Sequence, residues 1–191
     1  MTLVTEAVKR ATDALQSGDR TQADRMAEES VSFQALLSAV EREVEIAFAL
    51  QGPVDTDLRL MLTVLRVVPR LERGVELARH VAERAHVAGQ LPADALASLT
   101  HMGRVATSMW ERTTAAWHDR DPGAAADLDG TDDKLDLLSD EIAHQLEQMD
   151  NLPVAMETRL IIRFYERLGD QAVHVAERIA FLATGQEPSR P

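Results

Sequence analysis

An internal repeat constrains this chain more than any other feature. The segment LERGVELARHVAER at residues 71–84 returns as YERLGDQAVHVAER at residues 165–178, and eight of the fourteen positions are identical. Self-similarity of this kind indicates that one supersecondary unit is used more than once. The chain is therefore predicted to contain two copies of one unit, with the repeated segment near the end of each copy.

Apolar residues recur at spacings of three and four through six segments, which predicts six α-helices. Glycine, proline and asparagine separate the segments, as is typical of helix ends. The predicted helices span residues 3–17, 19–51, 57–87, 93–118, 124–149 and 154–184. The repeated segment lies in the third and sixth of these helices.

Short connections favour antiparallel neighbours, so the predicted fold is all-α, with two tandem antiparallel three-helix bundles. Residues 1–90 form the first predicted repeat and residues 91–187 the second, with a short tail at 188–191. The first repeat opens with a much shorter helix than the second.

Composition excludes several function classes. Thirty-two acidic residues against twenty basic ones give a net charge of −12, which disfavours nucleic acid as a partner because phosphate neutralisation requires cations. The chain has no cysteine, so disulfides and thiolate metal sites are excluded. No signal segment, long apolar run or Gly-rich phosphate loop is visible, and we expect a soluble cytoplasmic protein that is not an enzyme.

Two stripes of acidic side chains are the candidate site. Asp132, Asp136 and Asp140 recur every four residues on the fifth predicted helix, and the sixth carries a stripe made of Glu166, Asp170, His174 and Glu177. Like charges at this spacing destabilise a helix slightly, and bound cations would compensate them. Carboxylates suit hard or borderline ions such as Mg²⁺, Ca²⁺, Mn²⁺ or iron. A solvated acidic face is the alternative interpretation.

Two longer segments carry a family resemblance. FYERLGDQAVHVAERIAFLATGQ resembles the repeated signature of the PhoU family, and GPVDTDLRLMLTVLRVVPRLER resembles the "DLR" region that precedes the first signature. The resemblance covers roughly residues 6 to 187. It implies paired three-helix bundles and, as in some members, multinuclear metal clusters of iron, manganese, magnesium or zinc. The implied ligands are Asp132, Asp136, Asp140, Glu166, Asp170 and Glu177, with His174 lining the site.

The first repeat departs from this pattern. Its acids are Glu72, Glu76 and Glu83, and we expect a weakened or lost metal site because the aligned positions on the second helix carry no carboxylate. Those positions are Ser30, Gln34 and Ser38. A shifted alignment would instead bring Glu41 or Glu45 into the site. Pro69 is expected to kink the helix just before the first signature.

The resemblance implies a negative regulator of phosphate uptake and of phosphate-starvation signalling. Its partners would be the phosphate ABC transporter ATPase and the phosphate sensor histidine kinase, so that it is peripheral to the membrane, and it would form a homodimer. One alternative is a ferritin-like carboxylate di-metal protein, suggested by the Glu-x-x-His strings at residues 83–86 and 141–144. Another is a metal-free helical adaptor.

Overall fold

The computed structural model describes residues 1–147 and 149–187, apart from the side chain of Gln51; the predicted tail at 188–191 lies outside the described residues. The prediction of six helices is confirmed, and no strand occurs within these ranges. The helices are α1 (Thr2–Ser17), α2 (Thr21–Gln51), α3 (Asp55–Glu83), α4 (Ala93–Asp119), α5 (Ala124–Leu146) and α6 (Leu152–Thr184). A short 3-10 helix, Ala85–Gln90, connects α3 to α4.

The predicted last residues of α1, α2 and α6 are correct, because a capping glycine follows each of them. Gly18 and Gly185 take left-handed backbone angles, with φ of 71° and 75°, directly after α1 and α6. The side chain of Asn151 accepts a hydrogen bond from the backbone N–H of Val154 and caps α6, which therefore begins at Leu152, two residues before its predicted start. Two predicted ends are too late: α3 ends at Glu83 because the chain then tightens into the 3-10 helix, and α5 ends at Leu146.

The two repeats pack side by side around a shared core. The first and third helices of each repeat, α1, α3, α4 and α6, form a central group of four, in which α3 contacts α6 and α1 contacts α4. On the outside, α2 packs mainly against α3, while α5 packs against both α4 and α6. A single cluster of buried apolar residues includes members of both repeats. The domain boundary at residue 90 stays a prediction, because one core spans both repeats.

Two aromatic residues fix the signature segment of α6 in this core. Trp110 of α4 is fully buried, and its indole N–H donates to the carbonyl oxygen of Leu168 at 3.1 Å. The buried hydroxyl groups of Tyr165 and Thr12 are hydrogen-bonded at 3.0 Å, which joins α6 to α1. Buried polar groups need such partners, so both contacts specify one position for α6. The acidic face of α6 is thereby held towards α5.

The third helix of the first repeat contains a proline in its interior. Proline cannot donate a backbone hydrogen bond, which is why a kink was expected at Pro69. The structure shows α3 as one helix from Asp55 to Glu83, continuous across Pro69. The first signature therefore lies on an unbroken helix, as the second does.

Candidate functional site

An acidic cluster lies where α5 faces α6. It is formed by Asp132 and Asp136 from α5 and by Glu166 and Asp170 from α6, and the four carboxylates interact electrostatically. Burial raises the pKa of Asp132 to about 7, and the charges of Asp170 and Asp136 contribute further to the rise. Burial, followed by the charges of Glu166 and Asp170, also raises the pKa of Asp136. The sequence-predicted acids of the two helices are therefore brought together, and they repel one another.

The close approach of the two helices depends on Gly169, the glycine of the second signature. A Cβ atom built on Gly169 would overlap the Oδ1 atom of Asp132 and would lie 2.6 Å from the Cδ1 atom of Leu135. Real Cβ contacts are not this short, so only glycine lets α5 approach α6 at this distance. The equivalent residue of the first repeat is Val75, which is buried. Gly169 was not recognised from the sequence as part of the site.

Most of the negative charge in the cluster is not neutralised by the protein. Glu166 forms an ion pair with Arg163 at 3.3 Å, and the Arg163 side chain is largely exposed. Within residues 1–147 and 149–187, Asp132, Asp136 and Asp170 have no basic side chain at ion-pair distance. Carboxylates that are buried or close together without a cation are unfavourable, and a bound cation would relieve their repulsion.

The remaining predicted ligands lie apart from this cluster or at its edge. Asp140 is exposed further along α5 and has the weakest effect of the neighbouring acids on the pKa of Asp136. Glu177 and His174 line a groove rich in arginine between α3 and α6, and the His174 Nδ1 atom lies 3.6 Å from a Glu177 carboxylate oxygen. The predicted stripe on α6 is thus divided between two different surroundings.

The acidic cluster has the donor chemistry for a hard divalent cation but not a finished coordination geometry. Oxygen ligands alone, with uncompensated charge, suit Mg²⁺ or Mn²⁺. Over the part of the chain that the structure describes, no three His, Asp or Glu side chains already converge on one ion position. The donors therefore fit a metal in type and charge, and their side chains would have to rotate to surround it.

In the first repeat, the corresponding hollow lies between α2 and α3 and contains one acid pair. Ser30 and Gln34 line it together with Glu72 and Glu76, so the alignment without carboxylates on α2 is the one that the structure shows. The amide of Gln34 donates to Glu72 Oε1 at 2.9 Å. Neither Glu41 nor Glu45 of the shifted alignment lines this hollow.

Basic neighbours neutralise two acids of the first repeat, Glu76 and Glu83. Glu76 forms an ion pair with Arg73, and the hydrogen bond from Arg73 is the main reason that the pKa of Glu76 is lowered. Glu83 forms an ion pair with Arg79, and its other carboxylate oxygen lies 2.9 Å from the Nδ1 atom of His80. The pKa shifts of the two repeats thus have opposite directions. Cations stabilise the negative charge of Glu76 and lower its pKa, while the acids of the second cluster repel one another and have raised pKa values.

Comparison with known proteins agrees with this duplicated helical architecture. The family profile described as "PhoU domain" matches residues 1–85 and 99–179 of the chain. The chain belongs to the PhoU family. The resemblance of the two signature segments to the PhoU family is therefore confirmed, and the PhoU match covers the candidate acids of both repeats.

Relatives of known description extend over nearly the whole chain. The "Phosphate-specific transport system accessory protein PhoU homolog 2" of Mycobacterium tuberculosis is 33% identical over 188 residues, covering 95% of this chain and 88% of the relative. The homolog 1 protein of Mycobacterium leprae is 32% identical over 188 residues, with 95% and 85% covered.

Solved PhoU structures share the fold. The crystal structure of PhoU from Pseudomonas aeruginosa has a TM-score of 0.88 at 23% identity, covering 97% of this chain and 92% of that one. The PhoU structure from Streptococcus pneumoniae has a TM-score of 0.84 at 24% identity, covering 99% and 92%. The predicted arrangement of paired helical bundles is confirmed at the level of the fold.

Sequence reasoning also missed the basic groove that lies along α3 and α6 in this PhoU protein. Five arginines from the two helices line it, although the chain is strongly acidic overall. A signal was available: both copies of the signature place an arginine directly after the first glutamate, at Arg73 and Arg167. None of the described helices is long and apolar enough to cross a membrane.

Proposed function

We propose that this PhoU protein is a non-enzymatic accessory protein of phosphate transport, which restrains phosphate uptake and phosphate-starvation signalling by binding other proteins. The observation that carries the proposal is the family match across residues 1–85 and 99–179, together with relatives named as accessory proteins of the phosphate-specific transport system. Fold alone does not assign function, so the names of relatives at 32–33% identity carry the functional part.

The partners that we propose are the transporter ATPase and the phosphate sensor histidine kinase, which places the protein in the cytoplasm at the membrane surface. Apolar side chains that are exposed on α2 support contact with another protein chain, because exposed apolar surface is typical of an interaction site. These residues are Val31, Leu36, Ile46 and Leu50. We also propose a homodimer, which light scattering after size-exclusion chromatography tests directly.

Binding to the purified transporter ATPase tests the partner proposal. We expect Leu50→Glu, at a side chain that is 79% exposed, to weaken binding at least tenfold if α2 contacts the ATPase. Leu152→Glu is a matched control, because Leu152 is 65% exposed but lies at the start of α6. Absence of ATPase binding by the wild type, together with unchanged phosphate uptake in a deletion strain, would contradict the proposed function.

We propose that the acidic cluster of the second repeat binds one or more divalent metal ions, of iron, manganese, magnesium or zinc. The support is the set of three carboxylates without a basic partner in the described ranges and the raised pKa values of Asp132 and Asp136. When bound, a metal would supply positive charge that neutralises the cluster and ties α5 to α6. Asp132, Asp136, Glu166 and Asp170 would hold it.

Elemental analysis of protein purified without chelators or a metal-binding tag tests the metal proposal. We expect Asp136→Asn combined with Asp170→Asn to abolish metal retention while the helical circular dichroism stays unchanged, because both residues are exposed on stable helices. Wild-type protein that holds no metal, even after incubation with each candidate ion, would instead indicate the metal-free adaptor.

The ferritin-like alternative requires Glu-x-x-His strings that face the interior of the bundle. The His144 side chain is 80% exposed, and His86 is exposed as well. The partners of Glu83 are Arg79 and His80 near the surface rather than a second core carboxylate. The placement of these residues therefore favours the regulatory protein.

A further inference from the structure

The groove between α3 and α6 concentrates positive charge in an acidic protein. It has a volume of about 880 Å³ and is lined by Arg66, Arg70 and Arg73 from α3 and by Arg167 and Arg178 from α6. Two carboxylates, those of Glu177 and Glu187, also line it, so five guanidinium groups against two acids leave three positive charges. The whole chain carries a net charge of −12. This local excess of positive charge in an acidic protein creates a positive potential that attracts anions.

The internal repeat contributes to both walls of the groove. Arg73 and Arg167 occupy the same position of the two signature segments, directly after Glu72 and Glu166. Because the third helices of the two repeats pack against each other, the two equivalent arginines line one space from opposite sides. The groove is thus produced by the duplication and exists only where both repeats are present.

Several of these guanidinium groups form no ion pair with a carboxylate of the groove within the described residues. Arg70 donates to the neutral side-chain oxygen of Gln171 at 3.2 Å. Within the described ranges, neither Arg70 nor Arg167 has a carboxylate at ion-pair distance. Arg73 does pair with Glu76, which lies outside the groove lining. Unpaired N–H donors of arginine are suited to oxyanions, which they can bind through two parallel hydrogen bonds.

The chain already places one oxyanion in this groove. After α6 ends at Thr184, Glu187 extends its carboxylate between the two walls. One carboxylate oxygen is 3.2 Å from Arg66 of α3, and the other is 3.0 Å from Arg178 of α6. The side chain of Glu187 remains 60% exposed, so the contact is open to competition from solution. The spacing of Arg66 and Arg178 therefore allows both side chains to bind one oxyanion between the helices.

We propose that this groove binds a small anion that carries at least two phosphate groups, and that the anion displaces the carboxylate of Glu187. A single carboxylate bridges only Arg66 and Arg178, and leaves Arg70 and Arg167 for further phosphate oxygens. The volume is far larger than one phosphate requires, and the three excess positive charges suit an anion with two or three phosphate groups. The site goes beyond the proposed regulatory function and is independent of the acidic metal cluster.

Isothermal titration calorimetry with pyrophosphate, tripolyphosphate, orthophosphate and ATP tests the proposal. We expect tripolyphosphate and pyrophosphate to bind more tightly than orthophosphate. Arg167→Gln and Arg178→Gln should each weaken tripolyphosphate binding about tenfold, because each removes a charge-assisted hydrogen bond. Glu187→Gln should strengthen it about threefold or more, because the competing carboxylate is lost. Tighter binding of ATP than of tripolyphosphate would assign a nucleotide, and the reverse would assign an inorganic phosphate chain.

Arg159→Gln is the matched control, since Arg159 is exposed on α6 and does not line the groove. It removes the same charge, so a general loss of positive potential would weaken binding equally in Arg159→Gln and Arg167→Gln, and that result would refute a built site. No binding of any phosphate compound by the wild type or by Glu187→Gln would refute it as well. Tighter binding of a hexaglutamate peptide than of tripolyphosphate would show that the groove receives an acidic peptide, and the phosphate proposal would be wrong.

Discussion

Replacing Gly169 by alanine tests how closely α5 must approach α6. The added methyl group would overlap Asp132 Oδ1 and lie 2.6 Å from Leu135 Cδ1. Leu135 is fully buried, whereas Asp132 is partly exposed and can rotate outwards. The overlap is therefore relieved by moving Asp132 away and by shifting α5, and both changes disturb the acidic cluster.

The expected loss of stability is the difference between two effects. Overpacking a well-packed site by a methyl group costs about 1–3 kcal/mol. The two overlaps at Gly169→Ala place its cost at the upper end, about 3 kcal/mol. Alanine in place of glycine inside a helix stabilises the folded protein by about 1 kcal/mol, because alanine has the higher helix propensity. We therefore expect Gly169→Ala to lower the free energy of unfolding by about 2 kcal/mol, which corresponds to a Tm lower by about 4–8 °C.

Gly130→Ala is the matched control on α5, because Gly130 is exposed and an added Cβ there meets nothing within 4 Å. We expect this variant to gain up to about 1 kcal/mol and to raise the Tm. Urea denaturation followed by circular dichroism measures both variants. If Gly169→Ala is stabilised as much as Gly130→Ala, the close packing of α5 on α6 is not rigid and the reasoning is wrong.

The raised pKa of Asp132 predicts a dependence of stability on pH. The folded protein keeps this proton up to about pH 7 whereas the unfolded chain releases it near 3.8, so stability falls as pH rises between these values. The full shift corresponds to roughly 4 kcal/mol, which solvent screening of this half-buried group reduces to about 1–2 kcal/mol. Asp132→Asn should therefore have a free energy of unfolding higher than that of the wild type by this amount at pH 8 and equal to it at pH 3, as measured by urea denaturation. Equal stability of the two proteins at both pH values would contradict the shift. Trp110→Phe should lose about 2–3 kcal/mol of unfolding free energy, because it leaves a cavity and removes the hydrogen bond from the indole N–H to the Leu168 carbonyl, with the Tm as the measure. Glu72→Gln should leave metal content unchanged, since Glu72 faces the amide of Gln34; a large loss of metal would show that the first-repeat site is active.

The sequence predicts which residues form the acidic cluster, but not that the acidic stripe of α6 is split between this cluster and the arginine groove. Four-residue spacing placed Asp132 and Asp136 on one face of α5, and Glu166 and Asp170 on one face of α6, because the helical period fixes such neighbours. The same reasoning put Glu177 in the same stripe. It could not show that Glu177 would face arginines of α3, since the identity of the opposite helix is not a local property.

The sequence by itself determined the local structure of this protein. Periodic apolar residues produced six helices, glycines and an asparagine ended or began them, and the repeated segment marked the third helix of each unit. These features depend on interactions within a few residues, so a single chain read in order is sufficient to find them. The missing carboxylates of the first repeat were visible in the same way.

Only the tertiary structure decided which charged faces meet. The packing of α3 against α6 joined two repeats in one core and brought Arg73 and Arg167 into a common groove, although they are far apart in sequence. The absence of a side chain at Gly169 allowed Asp132 to lie against α6 and raised its pKa. Burial and long-range electrostatics arise when helices dock, and for that reason helical periodicity alone could not predict them.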